Sequence, residues 1–166
     1  MRGMPRALFA GMKKGSLVAL AAIAGSTALA AAIGGTRKGQ RWYARLKKPK
    51  LTPPGVLFPI VWTALYTLQA VSAFRVWRAP KSSERTRALA LWGTQLALNG
   101  AWSPLFFRAQ SPRLAFADIL ALDAALAGYV HGASKIDRTA AWLASPYLAW
   151  VGFATYLNEE IVRLNP

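Results

Sequence analysis

The sequence predicts an all-α membrane protein, built as a bundle of five transmembrane helices. Five stretches each hold about 20 residues with little or no charge, which is the length that an α-helix needs to cross a hydrocarbon core of about 30 Å. Four of these stretches contain no Asp, Glu, Lys or Arg. Only 16% of the 166 residues are charged, whereas a typical soluble domain has about 25%. The predicted spans are 15–35, 51–74, 88–107, 114–134 and 139–158.

Most of the charge lies in the tails and in the connections between the spans. The chain has 21 Lys and Arg against 6 acidic residues, which gives a formal net charge of +15. In a soluble protein this excess would indicate nucleic acid, but beside membrane spans it indicates anionic headgroups, at about 1 kcal/mol per basic residue near the surface. There is no Cys, which excludes disulfides and cysteine metal sites. We expect the lipid bilayer as a partner and no nucleic acid.

The first 35 residues predict a basic tail followed by a retained first helix. The alternatives are a cleavable signal peptide, because Ala28-Leu29-Ala30 resembles a cleavage site, and an organelle-targeting segment, because the start is basic. The uncharged run of 21 residues at 15–35 is longer than the apolar core of a typical signal peptide, which favours a membrane helix. The predicted organisation is therefore a tail at 1–14 and a transmembrane domain at 15–166.

The longest connection, 36–54, predicts a lid over the bundle. It contains seven basic residues, with Trp42, Tyr43 and Leu46 among them. Aromatic side chains favour headgroup depth and Lys or Arg the water side, so the segment suits the membrane interface. Pro53-Pro54 is predicted to open the second helix, because the first turn leaves a proline's missing N–H without consequence, while Pro59 predicts either a bend in that helix or its true start.

Small residues and prolines characterise the later spans. Gly93, Ala97 and Ala101 recur every four residues, a stripe that suits close contact with another helix or a second subunit. Pro104 and Pro146 lie within the third and fifth spans. Because each proline frees a carbonyl that neighbours must satisfy in lipid, both predict positions inside a bundle.

Two acidic residues and one histidine lie within the fourth span. Asp118 and Asp123 are five residues apart, so on a helix they diverge by about 140° and do not form a paired carboxylate site. An ionisable residue at this depth is costly and suggests function, but a structural hydrogen bond or ion pair is the favoured interpretation. His131 is the single His; it is expected at the interface, and two-histidine haem ligation within one chain is excluded.

Aromatic and polar residues at helical spacing predict a ligand pocket inside the bundle. Trp62 and Tyr66 are four apart on the second span, and Asn99 and Trp102 are three apart on the third. The fifth span carries a stripe of Tyr147, Trp150, Ala154 and Leu157. These rings predict walls for a flat apolar ligand, with a few polar groups to complete the site. Interface belts and core packing are the alternative, and Trp77, Trp92 and Trp142 near span ends are interpreted as belt residues.

The sequence contains no recognisable catalytic or nucleotide-binding motif. The remaining nucleophiles have only His131 as a base, so no catalytic triad can be assembled. A P-loop, a glycine-rich dinucleotide turn and a metal-ligand cluster are all missing from the sequence. The sequence therefore assigns no catalytic residue; a protein that is not an enzyme is favoured, enzymatic activity stays the alternative, and no required cofactor is expected.

Four ordered motifs together form a specific family signature. They are Trp42-Tyr43 with Leu46-Lys47-Lys48-Pro49; Leu51-Thr52-Pro53-Pro54 with Trp62-Thr63-Ala64-Leu65-Tyr66; Leu96-Ala97-Leu98-Asn99-Gly100-Ala101-Trp102-Ser103-Pro104-Leu105-Phe106-Phe107; and Pro146-Tyr147-Leu148-Ala149-Trp150-Val151-Gly152-Phe153-Ala154-Thr155-Tyr156-Leu157-Asn158. From about Trp42 to Asn165 the chain closely resembles the TspO/translocator protein family, also called the peripheral-type benzodiazepine receptor family.

The resemblance implies a five-helix bundle, often dimeric, whose pocket is covered by the loop after the first helix. Family ligands are porphyrins and haem, sterols in animal members, and synthetic isoquinoline- and benzodiazepine-type compounds. By motif, Tyr43 would belong to the lid. The residues implied to face the pocket are Trp62, Asn99, Trp102, Ala117, Trp150, Ala154 and Leu157.

The resemblance leaves three functions open. One is binding and translocation of tetrapyrroles and related lipids. Another is light- or oxygen-dependent porphyrin degradation, because in some bacterial members the tryptophans that match Trp62 and Trp150 are tied to light-driven porphyrin breakdown. A third is a membrane scaffold or tetrapyrrole sensor. The implied location is a bacterial envelope membrane or the outer membrane of a mitochondrion or other organelle.

Three departures from animal members bear on sterol binding. Leu114 stands where those members carry a Trp, and Asp123 stands where a small polar residue can occur. Glu159 stands where their sterol motif needs a Tyr. We therefore expect sterol recognition to be weak.

Overall fold

The computed structural model describes Gly25 and residues 37–166. The predicted tail at 1–14, and the first span with its alternative cleavage site, lie outside the described residues apart from Gly25. The described part contains five α-helices and a π-helical turn. They are α1 (Arg37–Arg45), α2 (Leu57–Arg78), α3 (Ser83–Ser103), the π turn (Pro104–Arg108), α4 (Pro112–Ile136) and α5 (Arg138–Leu164).

Helices α2 to α5 correspond to the second to fifth predicted spans, with shifted ends. Helix α2 begins at Leu57 rather than at residue 51, so the prediction that Pro53-Pro54 opens it was wrong, and Pro59 lies in its first turn. Pro59 thus marks the start of the helix, because a proline there removes only an N–H that has no helical partner. Helix α5 runs to Leu164, six residues beyond the predicted span. Its last turns include Glu160 and Arg163, which are good helix formers and form an ion pair of 2.7 Å.

Helices α2 and α4 are long and apolar enough to span a membrane. Each contains an 18-residue window with a mean hydropathy of 1.4. Helices α3 and α5 have sufficient length, at 21 and 27 residues, but fall below that hydropathy. Both carry buried polar side chains, among them Gln95 on α3 and Asn158 on α5. These side chains lower the hydropathy while facing the protein interior.

Three helices begin with a side-chain cap. Ser82 accepts a hydrogen bond from Arg85 N at the start of α3, and Ser111 accepts one from Leu114 N at the start of α4. Asp137 accepts one from Ala140 N at the start of α5. Such caps satisfy amides that the first turn leaves unpaired. They fix where each helix begins and keep the connections short.

The bundle packs α3 along α4, α4 along α5, and α2 against α5. A buried hydrogen-bonded group joins α2, α4 and the start of α5. Ser72 Oγ donates to Ala140 O across 2.7 Å and lies 2.6 Å from the hydroxyl of Tyr129. Because the single serine proton is used on Ala140, the tyrosine hydroxyl is the donor to Ser72. The fully buried bonds set the register of the three helices at this end of the bundle.

Trp92 does not lie where the sequence predicted. Its side chain is only 8% exposed and packs in the main core with Leu96 and Leu126. The prediction that Trp92 is a belt residue was therefore wrong, because α3 turns this position towards α4. Trp142, in contrast, is 74% exposed.

The π turn after α3 follows from Pro104. Proline has no N–H to donate to the preceding turn, so the backbone widens and Ala109 N donates to Pro104 O across 2.9 Å. Gln110 then takes a left-handed backbone conformation with φ of 51°. The turn directs Phe106 inward, where its side chain is only 1% exposed.

Candidate ligand-binding site

The first part of the site is an aromatic cluster between α2 and α5. It consists of Phe58, Trp62, Tyr66, Tyr147 and Trp150, called here the α2–α5 cluster. The rings of Trp62 and Tyr66 stack with centroids 5.3 Å apart. The Trp62 ring also meets Trp150 edge-on at 6.5 Å, at an interplanar angle of 89°. The packing of α2 against α5 therefore brings both predicted tryptophans into ring contact.

A hydrogen-bonded chain joins two rings of the α2–α5 cluster through a side chain of α3. The Tyr66 hydroxyl donates to Asn99 Oδ1 across 3.1 Å. Asn99 Nδ2 in turn donates to the hydroxyl of Tyr147. One amide on α3 thus orients a phenol on α2 and another on α5. Because Tyr66 and Asn99 are half-buried, the chain offers polar groups beside an otherwise apolar wall.

The second part of the site is an aromatic cluster around the π turn. It consists of Trp42, Tyr43, Trp102, Phe106 and Phe107, called here the cap cluster. Trp102 and Phe106 stack with centroids 4.8 Å apart and an interplanar angle of 16°. Tyr43 meets both phenylalanines edge-on at 5.8 Å. The cap cluster thus joins α1 to the C-terminal end of α3.

Helix α1 is held over the π turn by close packing. Gly39 is buried against Phe107, and a Cβ atom at position 39 would come within 2.8 Å of the Phe107 carbonyl carbon. Downstream, Lys47 N donates to Asn165 Oδ1 and Asn165 Nδ2 donates back to Lys47 O, both across 3.0 Å. The connection after α1 is therefore fastened to the end of α5. This arrangement places the predicted lid segment across one end of the helix bundle.

Tyr43 contacts the cap cluster and also presents the face of its ring to a cation. Lys48 Nζ lies 4.8 Å from the ring centroid, within cation–π range. Burial raises the pKa of Tyr43 above its ordinary value of 10.0. The phenol is therefore neutral at physiological pH, and it can donate a hydrogen bond without adding charge.

The structure brings together most of the predicted site residues. Trp62, Tyr66, Asn99 and Trp150 meet at the α2–α5 cluster, and Tyr43 and Trp102 meet at the cap cluster. Ala154 is partly buried against the main core, and Leu157 is 9% exposed. Ala117 lies on an exposed face of α4. The residues fall into two adjoining aromatic groups rather than one continuous ring, and Trp102 packs against both buried cores.

The two carboxylates of α4 differ in their surroundings. Asp123 Oδ2 accepts a hydrogen bond from Thr155 Oγ1 on α5 across 2.6 Å, which agrees with the structural interpretation. Asp118 Oδ2 and the other carboxylate oxygen of Asp123, Oδ1, are buried without a hydrogen-bond partner within the described chain. Among residues 37–166, no three His, Asp or Glu side chains are grouped to hold a metal ion.

Two buried glutamines were missed by the sequence reasoning. Gln69 on α2 is 1% exposed and Gln95 on α3 is fully buried. Both polar atoms of each amide have no hydrogen-bond partner in the described part of the molecule. Gln69 follows Tyr66 by three residues and Gln95 precedes Asn99 by four, so each lies one helical turn from the hydrogen-bonded chain. Their polarity in otherwise apolar spans was the signal that could have identified them.

Comparison with known proteins places the chain in a family. A family model described as TspO/MBR family matches residues 17–164. The chain belongs to the TspO/MBR family. This TspO/MBR protein therefore has the predicted fold class, an all-α membrane protein of the five-transmembrane-helix type. It is an integral membrane protein, while the choice between a bacterial envelope membrane and an organelle outer membrane stays a prediction.

Relatives of this TspO/MBR protein come from bacteria, archaea and animals. It is 37% identical over 135 residues to the tryptophan-rich sensory protein of Cereibacter sphaeroides, covering 81% of this chain and 84% of the relative. It is 38% identical over 130 residues to the translocator protein of Ovis aries, covering 77% of each chain. The tryptophan-rich protein TspO of Archaeoglobus fulgidus is 41% identical over 129 residues, covering 76% of this chain and 81% of the relative.

Proposed function

We propose that the protein binds tetrapyrroles, porphyrin or haem, and related flat apolar ligands between its helices, and that this binding serves their translocation. The observation that supports the proposal is the meeting of Trp62, Tyr66 and Trp150 beside the Asn99 amide. All four side chains are half-buried rather than sealed in the core. They are therefore positioned to contact a ligand that enters between α2 and α5.

The chemistry of the α2–α5 cluster matches that of a porphyrin. A porphyrin is a large planar π system, and each aromatic contact is worth about 0.5–1.5 kcal/mol beyond apolar burial. The hydrogen-bonded chain through Asn99 offers polar groups near the ring plane. Cationic side chains of the segment 36–50 are available for propionate carboxylates. Together these contacts support at least micromolar affinity, about 8 kcal/mol.

Titration of the purified protein with protoporphyrin tests the proposal. Tryptophan fluorescence should fall saturably, and the porphyrin absorbance should shift over the same range. A Trp62→Ala plus Trp150→Ala protein should lose most of this response. Trp142→Ala is the matched control, because Trp142 is 74% exposed. A linear fall in fluorescence that is identical in the double variant and the parent would refute the pocket.

A second candidate function is porphyrin degradation driven by light or oxygen. The perpendicular contact of Trp62 with Trp150, and the approach of Tyr147 to Trp62 at 5.9 Å, place three oxidisable rings side by side. Illumination of the porphyrin complex separates the two functions. Conversion into a new pigment that depends on Trp62 and Trp150 favours the enzyme. Porphyrin that stays bound and unchanged favours the carrier or, as a third alternative, a tetrapyrrole sensor.

We also propose that the protein acts as a homodimer. Gly93 and Ala97 of the predicted small-residue stripe are exposed on α3, and a Cβ atom at Gly93 would meet no atom within 4 Å. A smooth exposed face of this kind allows close helix contact in lipid. Gly93→Leu should shift the protein towards monomer in sedimentation in detergent, with unchanged helical content. An unaltered dimer in that variant would place the interface elsewhere.

A further inference from the structure

A basic cavity lies beside α1, apart from the α2–α5 cluster. Its volume is about 470 Å³, and its lining residues are Arg37, Lys38, Arg41, Trp42, Arg45 and Gln110. The four cationic side chains are exposed, so the cavity opens outward. Gly39 and Tyr43, in contrast, face the π turn. Helix α1 thus has one face in the cap cluster and another lined with positive charge.

No acidic residue of the chain neutralises this cavity. All six acids lie within the described residues, and none lines the cavity. Asp137 pairs with Arg75 at 2.9 Å, and Glu160 pairs with Arg163 at 2.7 Å. The remaining four acids lie on α3, α4 and α5. Like charges one turn apart on a helix repel each other, so the face of Arg37, Arg41 and Arg45 gains stability from an external anion.

The uncharged lining residues fit an anion that carries an apolar body. The half-buried Trp42 ring meets Phe106 edge-on at 5.5 Å, which holds it firmly at the cavity wall. Gln110 lies two residues after the π turn in the left-handed conformation, with φ of 51°. This conformation is uncommon for a residue other than glycine. The cavity therefore combines guanidinium groups, an amide and an indole at the end of an integral membrane protein.

We propose that this cavity binds the phosphate group of an anionic phospholipid. Arginine recognises phosphate oxygens with paired N–H donors, and basic pockets beside transmembrane helices are suited to anionic headgroups. The indole of Trp42 contacts the glycerol and upper acyl region. A free inorganic phosphate has the same oxyanion chemistry but no apolar part to place against Trp42. The cavity lies apart from the α2–α5 cluster, and lipid binding there does not require tetrapyrrole binding.

Native mass spectrometry of the full-length protein in detergent tests the site. The purified protein is titrated with phosphatidylglycerol and, separately, with phosphatidylcholine of the same acyl chains. Phosphatidylglycerol should bind at least about ten-fold more tightly to the parent. Arg41→Gln plus Arg45→Gln should weaken its binding by about thirty-fold, the effect of two basic residues near an anionic group. Arg41→Lys plus Arg45→Lys should show an intermediate loss, because charge remains but paired donation does not.

The matched control is Arg87→Gln plus Arg138→Gln, which removes the same charge from exposed positions outside the cavity. This variant should keep the lipid preference of the parent. Thermal unfolding of all variants verifies that they are folded. Equal losses in the cavity and control variants, or no preference for phosphatidylglycerol in the parent, would overturn the proposal. Displacement of the lipid by millimolar inorganic phosphate would assign the cavity to free phosphate and overturn the lipid assignment.

Discussion

Trp102 donates its indole N–H to Asn158 Oδ1 across 3.0 Å and thereby joins the end of α3 to α5. The same asparagine donates from Nδ2 to Pro112 O across 2.9 Å, at the start of α4. Asn158 is only 2% exposed. One buried amide therefore ties three helices together directly beneath the cap cluster, and it fixes the ring of Trp102 against Phe106.

Asn158→Ala should destabilise the bundle and loosen the cap cluster. The change leaves the Trp102 N–H and the Pro112 carbonyl without partners, at a cost of about 1–3 kcal/mol for each buried polar group. The midpoint of thermal unfolding should fall clearly below that of the parent. Glu159→Ala, at the neighbouring exposed position, is the control and should leave the midpoint of thermal unfolding nearly unchanged. Equal midpoints for Asn158→Ala and Glu159→Ala would show that the hydrogen bonds of Asn158 do not stabilise the bundle.

Tyr43→Ala should release ligand faster without unfolding the protein. The ring of Tyr43 contacts Phe106 and Phe107 in the cap cluster. Loss of these ring contacts, at about 0.5–1.5 kcal/mol per pair, corresponds to about a ten-fold faster dissociation. Stopped-flow dissociation of porphyrin measures the rate. Tyr43→Phe keeps the ring and should dissociate like the parent; the same rate for all three proteins would remove the lid role.

Gln95→Leu should raise the stability of the ligand-free protein. The amide is fully buried with neither polar atom hydrogen-bonded in the described structure. Leucine of similar volume removes this unsatisfied group, whose burial costs about 1–3 kcal/mol. The midpoint of thermal unfolding should increase, and Gln69→Leu should act in the same direction. A decrease in both variants would mean that the two amides make hydrogen bonds in the membrane-embedded protein, for example to water.

Asp137→Asn should remove a pH-dependent part of the stability. Partial burial opposes ionisation of Asp137, but the hydrogen bond from Ala140 N and the ion pair with Arg75 outweigh it and lower the pKa of this carboxyl. A lowered folded-state pKa gives stability that is complete above the unfolded-state pKa of about 3.9. This stability is lost as the pH falls through the folded-state value.

Unfolding midpoints of the parent and of Asp137→Asn should therefore differ at pH 7 and converge in acid. Asparagine can still cap α5, so the difference at pH 7 reports the loss of the carboxylate charge, which acts on both Arg75 and the Ala140 N–H. Because both partners are partly exposed, that difference should be below about 1 kcal/mol. Asp137→Ala, which also removes the cap, should lose more stability and keep a deficit in acid. A difference in unfolding midpoint between the parent and Asp137→Asn that stays constant at every pH would contradict a lowered pKa of Asp137 as its cause.

Cholesterol should bind weakly unless Glu159 is replaced. A short motif proposed for cholesterol places a Tyr within five residues of a Lys or Arg, whereas six residues separate Tyr156 from Arg163. Glu159→Tyr would put a ring four residues before Arg163, on an exposed position of α5. Cholesterol binding to parent and variant should be measured in matched bilayers. Tight binding by the parent with no gain in the variant would place a sterol site elsewhere.

Much of the candidate site followed from spacing along single helices. Trp62 and Tyr66 had to share a face of α2 because four residues make about one helical turn, and the structure stacks their rings. The same reasoning grouped Tyr147 with Trp150 on α5. It failed for Trp92, because local spacing does not tell which side of α3 meets α4. Gln69 and Gln95 were overlooked because their burial depends on the neighbouring helices.

The sequence by itself determined that this chain lies in a membrane and that its chemistry is aromatic. Long uncharged stretches can satisfy their backbone in lipid only as helices, and that constraint needs no knowledge of neighbours. Only the tertiary structure decided that Asn99 links Tyr66 to Tyr147, and that Asn158 holds Trp102. These bonds join residues 33 to 56 positions apart in the chain. Apolar burial gives little net drive between helices in lipid, so packing and such polar contacts set which faces meet.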